Sequence, residues 1–160
     1  MIVCGIDPGL RVTGYGVIAH DKKEIKLLEA GIVTPEIKGP LHKRIGKIYS
    51  NLNDIFREYK PDVIVLEKLY SHYRHPTTAC ILGHVRGVIC LLCAQLQIQL
   101  AEHSVRRMRK AFVGRGEASK DQTKRMVAHV LGIDKNKLTS DASDTLALAL
   151  SYVQMAGLRL

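Results

Sequence analysis

Four acidic residues stand where a side chain is presented rather than buried. Asp7 ends an apolar run at 2–6, Glu67 ends another at 62–66, and Asp141 and Asp144 lie three apart at the start of the last amphipathic segment. Residues three apart on a helix share one face. Carboxylates gathered at one point repel and raise one another's pKa. Hard divalent cations relieve that repulsion, and Mg²⁺ favours carboxylate oxygens together with water and phosphate. Two such ions about 3.5–4 Å apart can activate an attacking water and stabilise the leaving oxygen of a phosphodiester displacement. Each acid also has a plainer reading. Asp7 before Pro8-Gly9 suits a turn, and Asp141 suits a helix N-cap with Asp144 at N3. Glu67, after Val63-Ile-Val-Leu66, has no obvious structural duty.

The charge balance points to an anionic partner. The formal net charge is +9, and it is unevenly placed. Between His103 and Lys137 ten Lys and Arg face three Asp and Glu. Arg106, Arg109, Lys110, Arg115 and Lys124 are the candidate nucleic-acid contacts of this block. Two Phe and no Trp argue against a base-stacking single-strand binder. Lys120 follows Ser119 at a predicted helix start, after the loop Gly114-Arg-Gly-Glu-Ala. A cation there is suited to stabilise charge developing on a phosphate, and the two glycines allow close backbone approach. Tyr70 and Arg74, just beyond Glu67, could meet an opened base step and a phosphate.

The elements that must position these residues follow from periodicity. Residues 2–6, 13–19 and 24–34 read as a three-stranded antiparallel meander. Leu41, Ile45, Ile48, Leu52, Ile55, Phe56 and Tyr59 recur at three and four, an amphipathic helix broken by Pro61. Residues 62–67 are a fourth, central strand. Residues 77–93 form a helix apolar on nearly all sides, with Gly83 and Gly87 permitting close approach of another element. Such a helix must be covered on more than one face, which suggests a homodimer. Gln95 to Leu100 alternate as a fifth strand. Ser119 and Gln122 form a capping box, and Asp141 opens the last helix. The order β-β-β-α-β-α-β-α-α gives an α/β fold of the ribonuclease H-like layout: a five-stranded mixed sheet flanked by helices, as a single domain over 1–160.

An apolar fraction of 46% is enough for a core without disulfide or zinc staples. Cys90 and Cys93 therefore read as reduced cysteines on one buried helix face. The start MIVCGIDPG lacks a signal-peptide pattern. The apolar stretch 87–101 is too short to span a bilayer and carries three Gln. The expectation is a soluble cytoplasmic protein with no membrane partner.

GIDPGLRVTGYGVI at 5–18, VIVLEKLY at 63–70, LGHVRGVI at 82–89, VGRGEASKDQ at 113–122 and DASDTLALALSY at 141–152 together resemble the RuvC family of Holliday-junction resolvases. The blocks are in the right order and spacing, and they cover nearly the whole chain. The resemblance implies a homodimer that nicks opposing strands of a four-way DNA junction symmetrically, leaving 5′-phosphate ends, alongside the RuvA–RuvB branch-migration machinery. It implies Mg²⁺, two ions per site with Mn²⁺ able to substitute, held by Asp7, Glu67, Asp141 and Asp144, with Lys120 as a functional lysine. Tyr70 stands where the family usually has Phe, His84 replaces a usual Gln, Arg109 falls where Lys is frequent, and His72-Tyr-Arg-His75 is unusual. These departures touch junction contacts and not the carboxylates.

Two other readings compete. A ribonuclease H-like nuclease acting on RNA would lack the VGRGEASKDQ loop in this form. A non-catalytic junction-binding module would need the basic block but not four carboxylates. Sugar kinases and actin-like ATPases share the D-P-G opening, but they need a second domain that 160 residues cannot supply.

Overall fold

Residues 1–22, 24–36, 38–68 and 76–158 are described by the computed structural model. Strands β1 (Ile2–Asp7), β2 (Thr13–Asp21) and β3 (Glu24–Val33) form the expected antiparallel meander. Helix α1 (Leu41–Tyr59) follows, ending on Lys60 in the left-handed region just before Pro61. Strand β4 (Val63–Glu67) then returns parallel to β1. With β5 (Gln99–His103) parallel to β4, the sheet order is β3-β2-β1-β4-β5. The continuous apolar runs of β1 and β4 are explained by this order, because both are internal strands covered on both faces.

Alternation along β1 and β4 divides the core. Cys4, Ile6, Ile64 and Leu66 face α1 and α2 (Pro76–Leu96), meeting Ile48, Leu52 and Phe56 from one helix and Val85, Ile89 and Leu92 from the other. Val3, Val63 and Val65 face the opposite layer, where they meet Met108 and Phe112 of α3 (Val105–Val113), Val127 of α4 (Lys120–Leu131) and Leu146, Leu150 and Val153 of α5 (Ser140–Met155). At about 1.5–3 kcal/mol for each large apolar side chain fully buried, these two layers supply most of the drive to fold.

Glycine sets the distance between sheet and α5. A Cβ on Gly5 would lie 2.0 Å from the carbonyl oxygen of Thr145, and one on Gly16 would lie 2.9 Å from both Leu146 and Thr145 side chains. Helix α5 therefore lies closer to β1 and β2 than any side chain on those positions would allow.

Four expectations need correction. The fifth strand is Gln99–His103, not 95–100, because α2 continues to Leu96. Gln97 takes a positive φ of 56° and the Ile98 N–H donates to Cys93 O, which closes the helix. The alternation at 95–100 is the accidental overlap of the last helical turn with the first strand residues. Second, part of the basic block is itself a helix, α3, capped by Ser104 accepting from Arg107 N. Third, α5 begins at Ser140 with Thr139 as its N-cap. Asp141 is thus the second helical residue and Asp144 lies a turn inside. Fourth, Cys93 is buried but Cys90 is exposed, because α2 is covered on its inner side only.

That open side also revises the membrane argument. Thr77–Leu96 has a mean hydropathy of 1.8 and is long and apolar enough, by length and composition, to cross a bilayer. Its inner strip of Val85, Ile89 and Leu92 is fully committed to the core beneath the sheet. Leu91, by contrast, is 50% exposed. An open groove along Ile45, Gly83, His84, Gly87, Val88 and Leu91 marks the uncovered face.

Candidate active site

Register brings the first two carboxylates together. Ile6 of β1 pairs with Leu66 of β4, so the next residues, Asp7 and Glu67, end adjacent parallel strands on the same face. Both point into the layer that holds α5, opposite to Ile6 and Leu66. The turn after Asp7 is pinned from within: Thr13 Oγ1 donates to Gly9 O at 2.6 Å, and Arg44 Nη2 donates to Leu10 O at 2.9 Å.

Helix α5 brings the other two. Asp144 lines the same cavity as Asp7 and Glu67, a hollow of about 250 Å³. Asp141 does not line it and is exposed, although it lies over Gly14, the β2 partner of Asp7. Lys120, the first residue of α4, places its Nζ 2.9 Å from Asp144 Oδ2 while its side chain stays 68% exposed. Arg109 reaches the cavity from α3, and Phe112 and Leu148 form an apolar back wall.

The electrostatics fit a crowded acidic site. Burial, and then the Asp144 carboxylate, hold Asp7 above the usual carboxylate range; Lys120 opposes the rise and Asp141 adds to it. Burial also leads at Glu67, followed by Asp7 and Asp144, with Arg109 and Arg86 opposing. The hydrogen bond to Asp144 raises the Lys120 ammonium. Burial first, and neighbouring carboxylates second, thus disfavour the ionised forms of Asp7 and Glu67, and Lys120 and Arg109 only partly offset this. Among the described residues, no three carboxylate, imidazole or thiol groups yet close around one point as a finished metal cage.

The remaining candidates separate into groups. Arg106, Lys110 and Arg115 line a shallow basic concavity between α3 and α4, together with Arg107. Lys124 lies on α4 outside both hollows, and Arg109 belongs with the carboxylates. Tyr70 and Arg74 lie outside the described residues. The two loop glycines have structural duties: Gly114 closes α3 at φ 81°, and a Cβ on Gly116 would lie 2.8 Å from Arg106 Cγ.

Sequence reasoning passed over two residues. Arg107 completes the basic concavity; the spacing of Met108 and Phe112 behind a Ser cap signals the helix that carries it. Arg86 contacts the end of β4 from α2; its signals are that it is the one Asp, Glu, Lys or Arg in that helix and that it lies within the LGHVRGVI block at 82–89.

Comparison with known proteins agrees with the fold and gives the family. Residues 3–152 match the family described as crossover junction endodeoxyribonuclease RuvC. The crossover junction endodeoxyribonuclease RuvC of Rhodopirellula baltica is 35% identical over 148 residues, 92% of this chain and 83% of the relative. That of Chlorobaculum parvum is 36% identical over 149 residues, 93% of this chain and 79% of the relative. The structure of Thermus thermophilus RuvC superposes with a TM-score of 0.90 at 26% identity, covering 98% of this chain and 96% of that one. The same protein in complex with Holliday junction substrate gives 0.88 at 23% identity, covering 98% and 96%, a likeness of fold.

Proposed function

This chain belongs to the RuvC family of crossover junction endodeoxyribonucleases, and from that premise we propose that it resolves four-way DNA junctions by hydrolysing one phosphodiester in each of two opposing strands. The observation that carries this reading is the shared cavity. Asp7, Glu67 and Asp144 arrive from three separate elements, facing Lys120 and Arg109 beside a basic concavity.

Nucleases of this family depend on metal, and the residues present fit a hard divalent cation. The donors are all carboxylate oxygens, and Asp7 and Glu67 are held above their usual pKa by burial and then by neighbouring carboxylates, a crowding that a divalent cation would relieve. The Lys120 ammonium against Asp144 is the partial counter-charge already present. We assign the ions as two Mg²⁺, with Mn²⁺ able to substitute, held by Asp7, Glu67 and Asp144, with Asp141 one turn away on α5. Bound there, the metal supplies Lewis-acid charge and an activated water. The chain's own residues do the rest. The strand ends hold Asp7 and Glu67 side by side, α5 fixes Asp144 above them, and Lys120 and Arg109 offer charge to the scissile phosphate. Arg106, Lys110 and Arg115, with Lys124 further along α4, hold neighbouring phosphates.

Paired nicks on opposing strands call for two sites, and the open face of α2 supports a homodimer. Among the described residues, a Cβ on Gly83 or Gly87 would meet nothing within 4 Å, which leaves room for another element to approach α2 closely there. We further assign the protein to the cytoplasm beside RuvA–RuvB, on the strength of the resemblance alone.

The test is a labelled synthetic four-way junction incubated with the protein and Mg²⁺. Symmetric paired nicks are expected, absent without metal and absent in Asp7→Asn. Binding without cutting would return the chain to the non-catalytic reading, and preferential cutting of RNA would return it to the ribonuclease reading.

A further inference from the structure

Helix α2 lies on the face of the sheet away from α5, yet it touches the active site. Its Asp, Glu, Lys and Arg content is a single residue, Arg86, in a stretch otherwise apolar or neutral. That side chain is only 12% exposed. Burying a guanidinium is costly unless its donors are satisfied, and here they are used on two strand ends. Nη1 donates to the main-chain carbonyl of Glu67 at 2.6 Å, and Nη2 pairs with the Glu102 carboxylate. Glu102 lies on β5, one residue before His103, the strand partner of Glu67. The planar guanidinium therefore ties the ends of β4 and β5 together just where β4 presents Glu67. A lysine could supply the charge but not this fork.

We propose that Arg86 is a positioning residue for cleavage: by holding the Glu67 carbonyl and the adjacent end of β5, it sets where the Glu67 carboxylate stands in the metal-binding cavity. It lines neither the carboxylate cavity nor the basic concavity, so it acts through Glu67 and not on DNA. The inference rests on the reading of Glu67 as a metal ligand. A strand end released from its anchor lets the carboxylate wander, and misplacement of about 1 Å in such a site costs on the order of a hundredfold in rate.

Arg86→Gln and Arg86→Lys, with Glu67→Gln in parallel, test it. Three quantities are measured: Mn²⁺ affinity of the DNA-free protein by calorimetry, junction affinity without metal, and single-turnover cleavage at saturating enzyme, below the melting temperature of each variant. Arg86→Gln is expected to bind junction within about twofold of wild type, because binding rests on phosphate contacts. Its Mn²⁺ affinity should fall at least about fivefold and its cleavage rate at least about tenfold, with Arg86→Lys between. Should Arg86→Gln not fold, Arg86→Lys carries the same three measurements. A folded variant with wild-type Mn²⁺ affinity and rate overturns the proposal. So does a loss that disappears on cooling, which would make Arg86 a stabilising residue only. If Glu67→Gln itself cuts normally, the failure lies in the reading of Glu67 and not in Arg86.

Discussion

Gly5→Ala probes how the site is assembled, because Gly5 lies two residues before Asp7 and directly beneath α5. The added Cβ would lie 2.0 Å from Thr145 O, 2.9 Å from Leu148 Cβ and 3.0 Å from Ala149 N. Two of these are backbone atoms, so no side-chain rotation relieves the clash. To reach an ordinary contact of 3.4 Å, α5 must retreat from β1 by about 1.4 Å near Thr145. Asp144 is the preceding residue and moves with it. Overpacking a core costs about 1–3 kcal/mol, which the fold should survive, whereas 1 Å of misplacement costs a site on the order of a hundredfold in rate. Single-turnover cleavage of bound junction should therefore fall about a hundredfold while junction affinity changes little. Gly46→Ala is the control: on α1, a Cβ there meets nothing within 4 Å. It should stabilise by about 0.5–1 kcal/mol and leave the rate alone. A folded Gly5→Ala protein that cuts at the wild-type rate would refute the view that glycine contact sets the carboxylate geometry.

The carboxylates give a pH prediction. Asp7 and Glu67 titrate above their ordinary values, so they favour folding at acid pH, and that contribution is lost as pH rises through the raised values. Metal-free protein should thus melt higher as Asp7→Asn than as wild type at pH 7, Mg²⁺ should close the gap, and a lower melting temperature for the variant would contradict the reading. Lys120→Ala should slow single-turnover cleavage even with all junction bound; an unchanged rate assigns Lys120 to binding alone. Leu91→Arg, on the open face of α2, should halve the solution mass and abolish paired nicks. A wild-type protein that is strictly monomeric at micromolar concentration, yet makes paired nicks, would remove the dimer.

What could be read in advance follows from which physical signals are local. Strands β1 to β4 and helix α1 are legible because burial on one or both faces imposes periods of two or 3.6 on neighbouring residues. The Ser119–Gln122 capping box is equally local, and both of its reciprocal bonds form. The end of α2 was not legible, since Gln95 to Leu100 satisfy a strand pattern while Leu92, Cys93 and Leu96 also satisfy a helical one. At the site, Asp7 and Glu67 could be paired in advance because both end strands that the fold places side by side. The depth of Asp144 in α5 depended on which of Thr139 and Asp141 caps the helix, and Thr139 Oγ1 takes that place by accepting from Ala142 N. Arg86 and Gly5 were opaque for a different reason. Their partners, Glu67, Glu102 and Thr145, lie 16 or more residues away, and nothing local separates an anchored arginine from a solvated one.

Those two residues also explain why binding and cutting should separate so readily in this protein. Glu67 is gripped by Arg86 from the α2 layer, while Asp144 is set against Asp7 by the close seat of α5 on the other face. The basic concavity lies outside both clamps' direct contacts: it is built on α3 and the loop before α4, with Ser104 and the capping box as supports, while the buried side of α3 packs on α5 through Met108 and Phe112. Loosening either clamp displaces a carboxylate by about an ångström, and the exposed basic side chains on α3 and the loop after it shift by no more than that. Phosphate contacts tolerate such shifts because they depend on charge at Debye-length range, whereas metal-assisted cleavage depends on ligand placement within about 0.5 Å. Variants at Gly5 and Arg86, whose contacts lie on opposite faces of the sheet and which line neither the carboxylate cavity nor the basic concavity, should therefore share one phenotype with Asp7→Asn: junctions held and not cut.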